Sequence, residues 1–499
     1  MAKQKQPSAL DKQLHMASQR IKAGDAKGIL LGLMELTKKH PKDPRVLDLL
    51  CSAHATLGRH AEAIDAGKRA VAIDLENPNT RIRYAMALQA GGEYEEALNE
   101  YERALYRAPG NLHILRSKLG LFTDLGDHKR ALEALEVIDK VVKKTTPPPH
   151  EIISIALNKA RLSPKTLPAQ PVIDELLPMA KDESFPNAFR VSAYHHLGRL
   201  SETTKDYDNA IQHFISGNNI DKPEWNPDAF SAYITKLINC WKGASKVPNV
   251  NVTINSPKLI FIVGMMRSGT SLTEQMISQL PSVTPGGEMN AVARSVIPFE
   301  SVPSPWGAQP FPVSRLIYNQ RVINKIAQSA ATYYTDVAKE GIVTDKQPYN
   351  TFYVPLIARL FPDAKFIHCC RDPQDTCLSN FMQTYARPHP YTHDLNWLGR
   401  YSADYLRMMA EWHKLPEVNM LDVHYEDTVS DPETQSKRIC EFLDIPWAED
   451  VLDFHNSSRT VRTASRDQVR KPIYKSSVFK HEHYTQHLAP LRQGIGIED

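Results

Sequence analysis

One stretch of this 499-residue chain combines residue types and spacing that handle an anion: Pro257 to Ser271, PKLIFIVGMMRSGTS. From Gly264 to Ser271 the spacing is that of a phosphate-binding loop, G-x-x-x-x-G-K-[ST]. The lysine slot holds Thr270, and the cation comes earlier, at Arg267. Leu259 to Val263 is a short apolar run that predicts a buried strand, and Ser271-LTEQMISQL predicts a helix with Leu272, Met276, Ile277 and Leu280 on one face. A strand, a tight turn and a helix point backbone N–H groups and a helix N-terminus at one place, which suits a phosphate. The segment Arg267, Ser268, Gly269, Thr270, Ser271 thus reads as a loop for a nucleotide-borne anion, though not an ordinary ATP loop. The bland alternative is a strand–turn–helix with no ligand.

Other reactive residues follow. Glu288 lies in a Pro- and Gly-rich loop, PSVTPGGE, 21 residues after Arg267. It is a candidate general base, or a solvated loop carboxylate. Gly341-IVTDK predicts a strand that ends in Asp345 and Lys346, at the carboxyl end where α/β sheets place ligands. Asp345 also fits a Walker B aspartate, which would bring Mg²⁺ and ATP. Asn350 to Leu360 predicts an amphipathic helix. Ala364-KFIHCC predicts the next strand, with Arg371 at its end, Pro373 opening a helix, and Ser379 about two turns along it. Arg371 and Ser379 suit a second phosphate, so the ligand carries two separated phosphate-like groups. The segment Thr384-YARPHPYTHDLNW has no metal-ligand spacing; His389 and His393 read as loop residues, and the segment as part of an acceptor pocket. Asp394 to His413 predicts a helix whose Leu398, Tyr401, Tyr405, Met408 and Trp412 form a packing stripe.

Together these pieces resemble the sulfotransferases that use 3′-phosphoadenosine-5′-phosphosulfate, and within them the tyrosylprotein sulfotransferases and bacterial proteins that join tetratricopeptide repeats to such a domain. The resemblance spans roughly residues 257 to 490. It implies that Arg267, Ser268, Gly269, Thr270 and Ser271 hold the 5′-phosphosulfate, and that Arg371 and Ser379 hold the 3′-phosphate. It further implies Glu288 as the general base, Lys346 in its K-x-P turn as a catalytic cation, and Arg294 as a peptide-contacting arginine. Tyr425-ED, the FLDIPW run from Phe442 to Trp447, and Ser465-RDQVRKP match the C-terminal half. Tyr425 and Lys480 are expected on the cofactor, and Ser465 at the reacting group. Gln383 and Asn290 stand where the family has arginines, and the membrane anchor and disulfides of the animal secretory enzymes are missing. The implied chemistry is in-line transfer of a sulfuryl group to an acceptor hydroxyl, with fixed cations in place of a metal. The acceptor stays open among peptidyl tyrosine, carbohydrate and small-molecule alcohol.

The elements that must carry these residues form two parts. In the first half, Gly24, Gly58, Gly92 and Gly126 recur every 34 residues, with Ile29, Ala63, Ala97 and Ala131 in step. That period is the helix–turn–helix tetratricopeptide repeat. Repeats are expected over 8–145, ending at the TTPPPH break from Thr145. Irregular helices with at least one further repeat (Tyr194, Leu197, Gly198, Ala210, Phe214, Gly217) follow over 146–241, then a linker over 242–256 and the catalytic domain over 257–490. The expected fold class is an N-terminal all-α tetratricopeptide-repeat solenoid and a C-terminal α/β P-loop-like parallel-sheet sulfotransferase domain. Stacked repeats suit recognition of a substrate peptide or a protein partner; a spacer or dimerisation module is the alternative.

Composition is ordinary, 42% hydrophobic and 23% charged, and 60 basic against 57 acidic residues leave a net charge of +3. That balance argues against a general nucleic-acid or membrane-surface binder. Six scattered cysteines fit no zinc or disulfide framework, and the N-terminus lacks a signal-peptide core, so the expectation is a cytoplasmic protein with reduced thiols and no metal. Two rivals stand: a P-loop kinase or NTPase, against which Thr270 argues, and a non-catalytic repeat scaffold that keeps a nucleotide pocket, against which Glu288 and Lys346 argue.

Overall fold

The structure, a computed structural model, describes residues 8–163, 165–242, 247–299, 318–385, 389–454, 473 and 476–497. The chain divides into two compact units, Met1–Lys205 and Asp206–Asp499.

The first unit is helical. Its helices are α1 (Ala9–Lys22), α2 (Ala26–Lys39), α3 (Pro44–Thr56), α4 (His60–Ile73), α5 (Pro78–Gly91), α6 (Tyr94–Arg107), α7 (Leu112–Leu125) and α8 (His128–Val142), followed by α9 (Pro149–Leu162), α10 (Ala169–Lys181) and α11 (Asn187–Thr203). The 34-residue period has a local cause at each turn. Asn77 and Asn111 cap α5 and α7, their side chains accepting the amides of Asn79 and Ile114. Gly92 and Gly126 end the same helices in the left-handed conformation, at φ +94° and +72°. Ala63, Ala97 and Ala131 are fully buried, so paired helices approach closely. Tyr101 is buried among them and donates its hydroxyl to Gln89 Oε1 at 3.1 Å.

The second unit opens with α12 (Tyr207–Asn219) and α13 (Pro227–Lys242). The repeat read from Tyr194 to Gly217 is therefore divided, α11 falling in one unit and α12 in the other. The cause is the apolar face of α12 and α13. Phe214, Phe230, Ile234, Leu237 and Trp241 share a core with the sheet, and Phe230 stacks on Tyr401 with ring centroids 4.9 Å apart.

The chain then alternates strand and helix: β1 (Lys258–Gly264), α14 (Thr270–Ile277), β2 (Val283–Pro285), α15 (Ala291–Val296), α16 (Gln320–Val337), β3 (Ile342–Asp345), α17 (Val354–Leu360), β4 (Lys365–Cys370), α18 (Pro373–Phe381), α19 (Leu395–Trp412), β5 (Asn419–His424), α20 (Tyr425–Ser430), α21 (Pro432–Leu443) and α22 (Ala489–Ile495). The five strands pair in parallel in the order β2-β3-β1-β4-β5. Leu259, Phe261 and Val263 of β1 enter one buried cluster, while Ile260 and Ile262 enter another on the opposite face with Ile367, Val423 and Ile439. A strand covered on both faces must be apolar throughout, which is why β1 reads as a continuous run. No helix among the described residues is long and apolar enough to cross a membrane.

Two local expectations change. The stretch from Asn350 to Leu360 is a 3-10 segment over Pro348–Tyr353 followed by α17, because Pro355 can sit only in a helix's first turn. The loop that carries Glu288 contains β2, a three-residue edge strand ending in Pro285.

Candidate functional site

The site forms at the carboxyl ends of β1, β3 and β4, where three strand–helix turns converge. At the first turn the backbone is forced. A Cβ on Gly264 would lie 2.6 Å from Ser268 Oγ and 2.8 Å from the Cys369 carbonyl. Arg267 sits at φ +71° and Gly269 at φ +106°, two left-handed residues in one short loop. For a residue with a side chain this conformation is strained, and such strain clusters at ligand-binding loops. Thr270 and Ser271 then start α14 at its N-terminus.

The second turn joins the first directly. The Arg267 side chain donates from Nε to Ser379 Oγ at 3.0 Å. Arg371 donates from Nη1 to the Arg267 carbonyl at 3.1 Å and from Nη2 to the Ser477 carbonyl at 2.5 Å. Its guanidinium lies 4.8 Å over the Tyr425 ring and 3.5 Å from Asp375. The same tyrosine closes on the loop: a Cβ on Gly269 would come within 3.0 Å of Tyr425 Cδ2. Asn380 of α18 donates to the Met266 carbonyl at 2.8 Å.

The third turn holds an ion pair. Lys346 Nζ donates to Glu288 Oε1 at 2.8 Å, with the lysine side chain 2% exposed and the glutamate 43%. The two are held from behind by Glu274 of α14, whose Oε1 accepts from the Gly287 amide (2.9 Å) and the Thr344 hydroxyl (2.8 Å). The Lys346 amide donates to the Gly287 carbonyl at 2.8 Å. Next to it, Gln347 donates to Asn290 Oδ1 at 3.0 Å.

Asp345 faces inward. It is buried, accepts from the Tyr334 hydroxyl at 2.8 Å and from the Gln347 amide at 3.2 Å, and burial pushes its carboxyl up to about 7. These partners leave it poorly suited to serve a metal-bound nucleotide.

The structure thus brings together Arg267, Ser268, Gly269, Thr270, Ser271, Ser379, Arg371 and Tyr425, and pairs Glu288 with Lys346. Lys480 opens a 3-10 helix over Lys480–His487, and the next amide, of His481, donates to Asp375 beside Arg371. Arg294 lies on α15 with its guanidinium 5.9 Å over the Tyr333 ring, a packing contact on α16. Ser465 and the segment around it lie outside the described residues.

Three site residues escape the sequence reading. Glu274 sits in the middle of an apolar helix, and only the fold shows that its carboxylate is buried against Gly287. Asn380 lies in the last turn of α18 and Tyr385 just beyond it, with Tyr385 donating its hydroxyl to Asn380 Oδ1 at 2.5 Å. Arg267 and Glu288 both act electrostatically on Tyr385, and burial raises its phenol above the usual range. His389, read as a loop residue, bonds through Nδ1 to the Tyr349 hydroxyl at 2.6 Å.

Two polar atoms in these turns are left for an anion to satisfy. Ser268 Oγ and Arg371 Nε are buried with no hydrogen-bond partner among the described residues. Both stand at the loop that opens α14, and an anion would satisfy them.

A sulfotransferase domain from the Synechococcus PCC 7002 olefin synthase has 19% identity and a TM-score of 0.35, covering 50% of this chain and 96% of that one. An uncharacterized protein of Aquifex aeolicus (strain VF5) is 31% identical over 416 residues, 79% of this chain and 52% of its own. Protein-tyrosine sulfotransferase A of Caenorhabditis elegans is 28% identical over 233 residues, covering 44% of this chain and 60% of that one. The chain thus spans about half the length of the Aquifex protein and less than two thirds of the nematode one. Residues 55–119 and 191–222 match tetratricopeptide-repeat models, and residues 257–449 match the model of the sulfotransferase family. Residues 257–449 therefore carry a sulfotransferase-family domain, and tetratricopeptide repeats precede it in the chain.

Proposed function

We propose that this protein is a transferase that moves a sulfuryl group from 3′-phosphoadenosine-5′-phosphosulfate to an acceptor hydroxyl, with a peptidyl tyrosine as the acceptor. The observation that carries the proposal is the Lys346–Glu288 ion pair at 2.8 Å, set at the end of the strand next to the phosphate loop. A scaffold that only bound nucleotide would have no use for a buried ammonium against a half-exposed carboxylate.

The donor, when bound, supplies an activated sulfuryl group and a phosphate leaving group. Arg267 with the 268–271 amides and hydroxyls holds the 5′ end; Arg371 and Ser379 hold the 3′-phosphate, with Tyr425 and Lys480 beside it. Glu288 accepts the acceptor's proton at a carboxylate oxygen. Lys346 orients that carboxylate and offers positive charge where negative charge develops. Ser465 is assigned to the same leaving-group end. A phenol suits a carboxylate base better than an alkyl alcohol does, because it is far more acidic. The protein-tyrosine sulfotransferases among the relatives support this acceptor. Arg294 contacts the acceptor peptide in this reading, and the repeats recruit it or a partner protein. None of the six cysteines is disulfide-bonded, which suits the reducing cytoplasm.

Isothermal titration with adenosine 3′,5′-bisphosphate and with Mg-ATP, on wild type and Arg371→Ala, tests the cofactor. Metal-independent binding of the bisphosphate, weakened by the substitution, is the expected result. Binding of Mg-ATP alone would overturn it. Transfer of label from radioactive donor to tyrosine peptides, set against glycans and small alcohols, then tests the acceptor.

A further inference from the structure

A second group of reactive side chains lies at the β4–β5 edge of the sheet, where Cys370 directly precedes Arg371. In the parallel register His368 of β4 stands opposite Asp422 of β5. His368 Nδ1 is 2.7 Å from Asp422 Oδ1. His413, just past the end of α19, brings Nε2 to 2.9 Å from the same oxygen. Cys370, two residues along β4, places Sγ 3.4 Å from His368 Nδ1. On the far side of the imidazole, His368 Nε2 is 2.7 Å from the Tyr405 hydroxyl of α19. The donor atoms of the two histidines and the aspartate all lie within 4.8 Å of one another.

We propose that His368, His413, Asp422 and Cys370 bind one divalent transition-metal ion of the zinc class, as a structural tie between β4, the edge strand β5 and the end of α19.

Four arguments carry it. The donor set is two imidazole nitrogens, a carboxylate oxygen and a sulfur, the mixture zinc takes in four-coordinate sites. The charges close, because a thiolate and a carboxylate together balance a dication. The ring that ligates through Nδ1 is oriented by a hydroxyl at its other nitrogen, which is the support that metal-bound histidines have. Finally, there is an entry path: His413 and Asp422 side chains are 33% and 42% exposed, while His368 is 6% exposed. Zinc bonds of about 2.0–2.3 Å require the nitrogen–oxygen pairs to open by about half an ångström and the Cys370 side chain, which stands outside that close group of three, to turn toward the metal. On binding, the Cys370 thiol releases its proton to solvent and the sulfur's electron pair forms the bond to the metal. The four residues come from three separate elements with no zinc-motif spacing, so the linear sequence does not display the site. A comparable cluster of Asp372, Asp375 and His481 is set aside, because the Arg371 guanidinium lies 3.5 Å from Asp375 and already supplies a cation there.

The test uses the full-length chain, stripped with chelator and titrated with Co²⁺ and Zn²⁺. The expected result is one ion per chain, tetrahedral ligand-field bands, and a thiolate-to-cobalt charge-transfer band that Cys370→Ser removes. Tyr405→Phe should weaken binding about 10–100-fold, and Asp422→Asn or His413→Gln by more. Zinc should raise the unfolding temperature of wild type but not of Asp422→Asn. A wild-type chain that binds neither ion, binds cobalt without the thiolate band, or keeps its affinity in the Asp422→Asn/His413→Gln double variant would overturn the proposal. The wild-type cobalt spectrum stands even if a variant fails to fold.

Discussion

Lys346 and Glu288 form an unequal pair, one side chain buried and the other half in solvent, and the inequality makes their substitutions distinguishable. Losing a preorganised cation at the reacting group costs about 10²–10³ in rate, so Lys346→Ala should lower kcat by that factor with a smaller change in KM. Glu288→Gln should lower it by about 10²–10⁴, the range of general-base contributions. Stability should run the other way. Glu288→Gln leaves a buried ammonium without its counter-charge, while Lys346→Met leaves a carboxylate that water can solvate. Thermal melts should therefore show the larger loss in Glu288→Gln. Asp345 supplies a pH signature. Its folded-state carboxyl titrates near 7, above its unfolded value, so the folded chain holds the extra proton between about pH 4 and 7. Its contribution is present below the unfolded value and is lost as pH rises through the folded one. Asp345→Asn, which mimics the protonated acid, should flatten the stability profile over that window relative to wild type in denaturant titrations. At this scale Arg267, Arg371, Ser379, Glu288 and Lys346 were readable, because turn residues and chemistry-bearing side chains stand together in the sequence. Glu274 was not, because its partners are Gly287 after β2 and Thr344 of β3, and no spacing along the chain records that encounter.

The phosphate loop, Tyr425 and Arg371 act as one element-level device. The tyrosine ring lies between Gly269 and the Arg371 guanidinium, so the first turn cannot shift without disturbing the third residue in the stack. Gly269→Ala adds a Cβ at φ +106° and within 3.0 Å of the ring. The conformational cost alone is about 1–2 kcal/mol, so affinity for adenosine 3′,5′-bisphosphate should fall by about tenfold or more in calorimetry. Tyr425→Ala should partly restore room in the double variant, so that its loss of affinity is smaller than the two single losses added together. The strands that carry this device were legible from their apolar runs and β-branched residues. The 3-10 segment over Pro348–Tyr353 and the short strand β2 were not, because a proline in a periodic segment and a proline in a short strand both act through geometry that hydrophobic pattern does not encode.

For the whole molecule, the ligand should report on one unit only. Adenosine 3′,5′-bisphosphate should raise hydrogen-exchange protection in β1, α14, β4 and α18, and leave the amides of α1 to α8 unchanged. Slowed exchange throughout the repeats would show that the units open together. The period of 34 made the helical half plain, yet the division at Lys205 was not readable. The apolar faces of α12 and α13 have the same helical spacing whether they pack on a repeat or on a sheet. The edges of that sheet have a further consequence. On one side β2 has three residues and ends in proline; on the other, β5 offers exposed Asn419 and His424 beside Asp422. Among the described residues, neither edge presents the long, flat row of backbone groups that an incoming chain needs to hydrogen-bond as a sixth strand. Under the proposed function, an extended peptide acceptor would then be held by contacts other than strand addition at these edges, and selection among peptides would fall on the residues flanking the modified position.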